Sequence, residues 1–227
     1  NLYITYIQCL MISFKKKEIL AIIFDFDGVI VNSEPLWFKA ATLSLDKLKY
    51  NYNKKITYKE TIGMVSEKVW NLLLKQDLTS QQKIKLDNYY RKNLEVLFEK
   101  NLKLSRGIKN FLKRNNLPIR IVSNAPTKYI QKSLKKFKID IFKKKQIISC
   151  SGILLPKPKP DGYLKAISDL ELSRKNVLVI EDSDTGIAAA KAAKIKNIIR
   201  HTHNNENLPR FTKYEIPILK SFNDLYL

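Results

Sequence analysis

Two cysteines in 227 residues, Cys9 and Cys150, leave no disulfide framework to build and no C-x-x-C pair for zinc. A reducing cytosol is the compartment that fits, so the expected location is cytoplasmic. No apolar run approaches the roughly 20 residues of a membrane-spanning helix, so no membrane association is expected. Histidine is scarce as well. The two present, His201 and His203, form an H-x-H with no acidic or cysteine neighbour in sequence, and they read as a solvated loop. Acidic residues are in short supply: 21 Asp+Glu stand against 42 Lys+Arg, a formal net charge of +21. That excess admits a basic, non-catalytic module binding nucleic acid or an anionic surface. The lysine runs at 15–17 and 143–145 lack the interleaved aromatics of a base-stacking platform, however. A solvated lysine-rich surface is the plainer reading, and no nucleic-acid partner is expected.

What is present is enough apolar residue, 44% of the chain, to fill a real core. The length suits one large domain, or a core domain with a small accessory one. Residues 1–10, NLYITYIQCL, are apolar but carry neither a basic leader nor a small-residue cleavage site. Met11 opens an ordinary start, and the ten residues before it read as upstream sequence or a tail.

Short apolar runs rich in β-branched residues occur at 19–24 (ILAIIF), 118–122 (PIRIV) and 177–180 (VLVI), with weaker ones at 146–149 and 196–200. Runs of that length are strands buried on both faces, as in a parallel sheet. Helical periodicities lie between them, at 107–115, 127–137, 161–170 and 184–194. Strand alternating with helix predicts a doubly wound α/β sheet. The stretch 33–104 breaks the alternation with long helical patterns and reads as a helical insertion after the first strand. Ser105-Arg106-Gly107 is the return crossing, where glycine supplies backbone freedom for a hinge. The expected organisation is an extension at 1–17, a core of 18–32 with 105–227, and a helical cap at 33–104.

In open α/β sheets ligands bind outside the carboxyl ends of the strands. Polar residues gather at three such ends here: Asp25 and Asp27, then Ser123 and Asn124, then Glu181 and Asp182. Lys157 follows in a proline-stiffened loop, LPKPKPDGY. Each alone is a plausible cap or turn. Their joint occurrence in this order points to a site.

The constellation resembles the haloacid dehalogenase-like hydrolase superfamily. In that family the first strand ends in D-x-D-G-[TV], matched here by Asp25-Phe26-Asp27-Gly28-Val29. A Ser or Thr after a later strand is matched by Ser123, a lysine by Lys157, and an acidic pair by Glu181 and Asp182 in EDSDTG. The resemblance implies a Rossmann-like core under a mobile cap, and phosphoryl transfer. It implies Asp25 as the nucleophile that becomes an aspartyl-phosphate and Asp27 as general acid and base. Mg²⁺ is the implied cofactor, held by Asp25, the Asp27 backbone carbonyl and Asp182, with Glu181 either a further ligand or a residue supporting the ligands from behind. Ser123 and the Asn124 backbone N–H would bind phosphate near a helix N-terminus, beside the point charge of Lys157.

An insertion directly after the first motif is similar to the helical cap of the β-phosphoglucomutase-like branch. Within that branch NSEPLW resembles a stretch of bacterial sugar-phosphate and sugar-alcohol-phosphate phosphatases, with Asn32 in place of an Asp. The closing NLPRFTKYEIPILKSFNDL is similar to the segment that ends those enzymes, and 61–70 to their cap specificity loop. The mutases place a His, a Lys and an Arg where Trp37, Ile62 and Ser66 stand here, cations needed to hold a second phosphate. Their absence favours a phosphatase over the mutase alternative. Dehalogenase chemistry has no use for Asp27, and a phosphonatase would need a cap lysine such as Lys59 or Lys68. The expected substrate is a small phosphorylated metabolite, a hexose or hexitol phosphate, and the expected enzyme a monomer. Glu34, Trp37, Met64 and Trp70 are candidates to read the sugar, with core packing of the cap as the competing role for both tryptophans.

Overall fold

The computed structural model describes residues 19–64, 66–74, 76–203, 214 and 216–227. The extension expected at 1–17 lies outside them, as do residues 207–213 and 215 of the closing segment that resembles the phosphatases. The chain divides into two compact units, Asn1–Val31 with Leu104–Leu227, and Asn32–Lys103.

The first unit is built on a six-stranded parallel sheet. In chain order its strands are β1 (Ala21–Phe24), β4 (Ile119–Ser123), β5 (Ile147–Ser149), β6 (Val177–Glu181), β7 (Asn197–His201) and β8 (Ile218–Leu219). Their spatial order is β5-β4-β1-β6-β7-β8. Two-residue strands β2 (Val31–Asn32) and β3 (Lys103–Leu104) pair with each other. The chain lays β4 and β5 on one side of β1, then returns to lay β6, β7 and β8 on the other. That reversal puts a crevice at the carboxyl end of β1, where doubly wound sheets bind ligands. Every residue of β1 and β6 is buried, as central parallel strands covered on both faces require.

Period-two alternation decides what each face of β1 meets. Ile23 packs into a cluster with Val122, Val179, Tyr163, Ile187 and Ala190. Phe24, its neighbour, meets Phe111, Phe142 and Phe222 at ring-centroid distances of 6.3, 6.2 and 6.2 Å. Phe111 lies on α4 (Ile108–Arg114), Phe142 on the stretch before β5 and Phe222 at the start of a 3-10 turn, Phe222–Asp224. The remaining helices of this unit are α5 (Thr127–Lys136), α6 (Asp161–Leu170) and α7 (Asp184–Ala192).

The second unit holds α1 (Glu34–Lys47), α2 (Ser66–Leu73) and α3 (Ser80–Asn101). Pro35 in the first turn of α1 loses nothing, because its missing N–H would have no helical partner there. Thr79 and Gln82 cap α3 reciprocally: the Gln82 N–H donates to Thr79 Oγ1 at 3.3 Å and the Thr79 N–H to Gln82 Oε1 at 2.9 Å. Ala41, Leu45, Trp70, Leu73 and Leu86 form this unit's own core.

One expectation changes. The sixth strand, β8, is two residues long and carries no sequence signal of its own. Its pairing with β7, His201 opposite Leu219, carries β7 one residue past the expected end. His201 is therefore in the sheet and only 1% exposed, not in a solvated loop. Trp70 is buried at 5% and its indole N–H donates to Asp87 Oδ1 at 3.3 Å. It is a packing residue of the helical unit, and its large ring explains why: few other side chains there fill as much volume. Trp37 likewise packs edge-on to Phe98, centroids 5.0 Å apart, whereas Met64 is 41% exposed and Glu34 is half-buried in the first turn of α1.

Candidate active site

Asp25 is the first residue past β1, and its N–H still donates to Ile180 O of β6 at 2.9 Å. The sheet therefore fixes its backbone while its side chain leaves the strand end. A tight turn follows, in which Phe26 O accepts from the N–H groups of Val29, Ile30 and Val31. Gly28 occupies this turn at φ +73°, and a Cβ there would collide with the Asp182 carboxylate. Glycine is thus required twice over, for the left-handed backbone and for the approach of Asp182. Gly186, in the first turn of α7, does the same for Glu181, whose carboxylate occupies the space a Cβ would take.

Lys157 ties the strand ends together. Its Nζ donates to Asp25 Oδ1 at 2.5 Å and to Glu181 Oε1 at 2.6 Å, all three groups buried. Burial by itself pulls the ammonium pKa down, but the two carboxylates outweigh it and hold Lys157 well above its usual range. Burial pushes Asp25 up to about 8; Lys157 pulls against that, while Glu181 and Asp27 add to it. Glu181 is fully buried and fully partnered. Tyr163 of α6 donates its hydroxyl to Oε1 at 2.6 Å, and Oε2 accepts from the N–H of Asp182 at 3.2 Å and Ser183 Oγ at 3.3 Å. Burial, then the Glu181 carboxylate, hold the Tyr163 hydroxyl protonated well above pH 10.

Asp25, Glu181 and Asp182 each offer one oxygen, and these oxygens all lie within 4.8 Å of one another. Three carboxyl groups share one ammonium, so full ionisation of the cluster calls for further positive charge. Hard oxygens at that spacing fit a divalent cation such as Mg²⁺. The Asp182 main chain is braced from behind: Arg200 of β7 donates to Asp182 O at 2.8 Å and pairs with the Asp184 carboxylate in the first turn of α7.

Ser123 ends β4 and is 1% exposed; its Oγ accepts from the Ala125 N–H at 3.0 Å. Asn124 has a part that sequence reading missed. Its Oδ1 accepts from the Lys157 N–H at 2.9 Å and its Nδ2 faces Lys157 O at 3.5 Å, so its side chain clamps the lysine's backbone. Asp27 accepts from the Tyr129 hydroxyl at 3.0 Å. Of the sequence-predicted residues, then, the structure gathers Asp25, Glu181, Asp182, Lys157 and Asn124 into one cluster. Asp27 and Ser123 stand on the same strand ends. Tyr129, Tyr163 and Arg200 were missed, since a tyrosine in a helix or an arginine inside a strand carries no motif.

Behind the Asp27–Gly28 turn lies the histidine pair. His201 Nδ1 is 3.0 Å from Gly28 O, the His201 ring stacks on Phe222 at 5.0 Å, and His203 stands edge-on to it at 4.7 Å. Next to a carbonyl, Nδ1 must carry the proton. Burial, with His203 adding, lowers the His201 pKa to about 3; burial lowers that of His203 to about 4. The unfolded chain takes up protons near pH 6.5 that the native state refuses. This contribution to stability is therefore complete above pH 6.5 and is lost as pH falls toward the native values. At pH 5 the loss through His201 alone is about 2 kcal/mol. Denaturant melts at pH 7 and pH 5 should show the loss, and His201→Gln should flatten the slope; a slope equal to wild type would contradict it.

The family model for haloacid dehalogenase-like hydrolase matches residues 22–199. Hexitol phosphatase B of Escherichia coli K12 is 26% identical over 207 residues, covering 89% of this chain and 92% of that protein. A phosphorylated carbohydrates phosphatase of Thermotoga maritima is 24% identical over 190 residues, 81% of this chain and 86% of its own. A haloacid dehalogenase-like protein of Agrobacterium tumefaciens C58 superposes with a TM-score of 0.73 at 26% identity, covering 90% and 95% of the two chains. The chain belongs to the haloacid dehalogenase-like hydrolase family. It is an enzyme of the hydrolase class, and its matched relatives include phosphatases. Among the described residues no helix is long and apolar enough to cross a membrane.

Proposed function

We propose that this enzyme is a Mg²⁺-dependent phosphatase of small phosphorylated metabolites, hexose or hexitol phosphates, working through a phosphorylated Asp25. One observation carries the reading: Lys157 bridges Asp25 and Glu181 at the edge of a three-carboxylate cluster that fits a hard cation. The names of the two bacterial relatives, both phosphatases of carbohydrates or hexitols, support the substrate class.

Asp25, the Asp27 backbone carbonyl and Asp182 would hold Mg²⁺, with Glu181 behind them holding Lys157; when bound, the ion would draw charge off the phosphoryl oxygens. Asp25 attacks phosphorus in line, the ester P–O bond breaks, and its electron pair stays on the departing oxygen. Asp27 gives that oxygen a proton. Water then attacks the same phosphorus, loses its proton to the Asp27 carboxylate, and the acyl-phosphate bond breaks to restore Asp25. Lys157 neutralises the anion at both stages, with its backbone held by Asn124. Ser123 supplies a phosphate contact at the β4 end. Glu34 and Met64 are the residues of the helical unit proposed to select the substrate.

The test is phosphate release from a panel of sugar and sugar-alcohol phosphates. Turnover with Mg²⁺ that EDTA removes and fresh Mg²⁺ restores is expected. No release from any ester with Mg²⁺ supplied, or release untouched by EDTA, would overturn the proposal.

A further inference from the structure

We infer that Tyr129 is a positioning residue for Asp27, aiming the carboxyl group that serves the departing alcohol; the inference rests on the phosphatase reading above. Tyr129 lies in the first turn of α5, just past the β4 end that carries Ser123 and Asn124. Its hydroxyl donates to Asp27 Oδ1 at 3.0 Å. Its ring stands edge-on to Phe26, centroids 5.6 Å apart and planes at 87°. Phe26 has no exposed surface, so the ring that carries the hydroxyl rests on a side chain that is itself fixed. The Asp27 backbone is held by the turn bonds to Phe26 O, and by the Gly28 N–H to Val31 O at 2.8 Å. The side-chain torsions are what that turn leaves open, and the Tyr129 hydroxyl is placed to select among them.

The chemistry makes the role separable from simple packing. An aliphatic alcohol leaves phosphorus as a poor leaving group unless it is protonated as the P–O bond breaks. A nitrophenolate leaves without that proton. As Asp27 gives up its proton it becomes a carboxylate, and a hydroxyl donor at 3.0 Å stays with it through the transfer. A misaimed Asp27 therefore harms alkyl phosphates and spares aryl ones. kcat/KM isolates this, because it covers only the steps up to loss of the alcohol and not the later hydrolysis of the aspartyl-phosphate.

Tyr129→Phe keeps the ring on Phe26 and removes only the hydroxyl. In the Mg²⁺-loaded enzyme it should lower kcat/KM for a sugar-alcohol phosphate by roughly tenfold to a hundredfold, and leave p-nitrophenyl phosphate unchanged. In an Asp27→Asn background the same change should cost nothing further, because both substitutions then act through one group. Equal losses on both esters, no loss on either, or a full additional loss in the Asp27→Asn background would each overturn the role. If Tyr129→Phe does not fold, Tyr129→His, which can keep a donor beside Asp27, replaces it in the same two assays. It must then retain the alkyl-ester activity that Tyr129→Leu loses selectively; a parallel loss overturns the role. Wild-type protein that cleaves neither ester would overturn the phosphatase reading and this inference with it. Wild-type turnover of both esters with an indifferent Tyr129→Phe would overturn this inference alone.

Discussion

Asp25→Asn should abolish phosphate release, by at least about four orders of magnitude in kcat, while leaving the protein folded. The amide keeps the shape of the carboxyl group but cannot form the acyl-phosphate that the proposed route requires. Stability should not suffer in proportion. The native carboxylate is buried and crowded by Glu181 and Asp27, which is why its pKa stands near 8. An uncharged amide relieves that crowding, and Lys157 keeps Glu181 as a partner. A melting midpoint at or above that of wild type, together with lost turnover, is the expected pair of results. Substantial residual turnover in the Asn variant would mean that another group attacks phosphorus.

Lys157→Met should fail in a different way, through the fold as well as the chemistry. Methionine replaces the aliphatic stem and removes the charge, leaving Asp25 and Glu181 facing each other inside the protein. Removing one partner of a buried ion pair costs about 3–5 kcal/mol, because the remaining charges lose their compensation. In metal-free buffer the melting midpoint should fall by about 10 °C. Adding Mg²⁺ should recover part of that loss by binding only the native state. Turnover should fall with the loss of the cation that faces the phosphate. A metal-free midpoint equal to that of wild type would show that Lys157 does not carry the charge balance of the cluster.

These two variants probe the part of the site that was legible in the sequence. Asp25 and Glu181 fall where a short apolar run meets acidic residues, and a buried strand end can be read from hydropathy alone. Lys157 was legible through its proline-rich setting and the family pattern, not through any periodicity. The central strands β1, β4 and β6 were equally clear, because burial on both faces leaves an unbroken apolar run. β8 was not, because two residues carry no pattern; missing it turned a buried histidine into an imagined surface loop. The side-chain partners were hidden for a related reason. Tyr129 meets Asp27 across 102 residues, and Lys157 meets Asp25 across 132. Such contacts depend on sheet order and helix rotation, which local sequence does not encode. Asn124 is intermediate: its position was singled out for its backbone N–H, but its side chain proves to hold Lys157. Trp37 and Trp70 carried two readings in the sequence, since aromatic residues that could contact a sugar also fill a small helical core, and both pack within the helical unit.

The central claim is that Asp25 itself receives the phosphoryl group. Rapid acid quenching of the Mg²⁺-loaded enzyme during turnover of a sugar-alcohol phosphate, followed by peptide mass mapping, tests it directly. The account predicts one added phosphoryl group on the peptide containing Asp25, lost on treatment with hydroxylamine and absent from Asp25→Asn. A phosphoryl group on another residue, or turnover with Asp25 unmodified at every quench time, would contradict it.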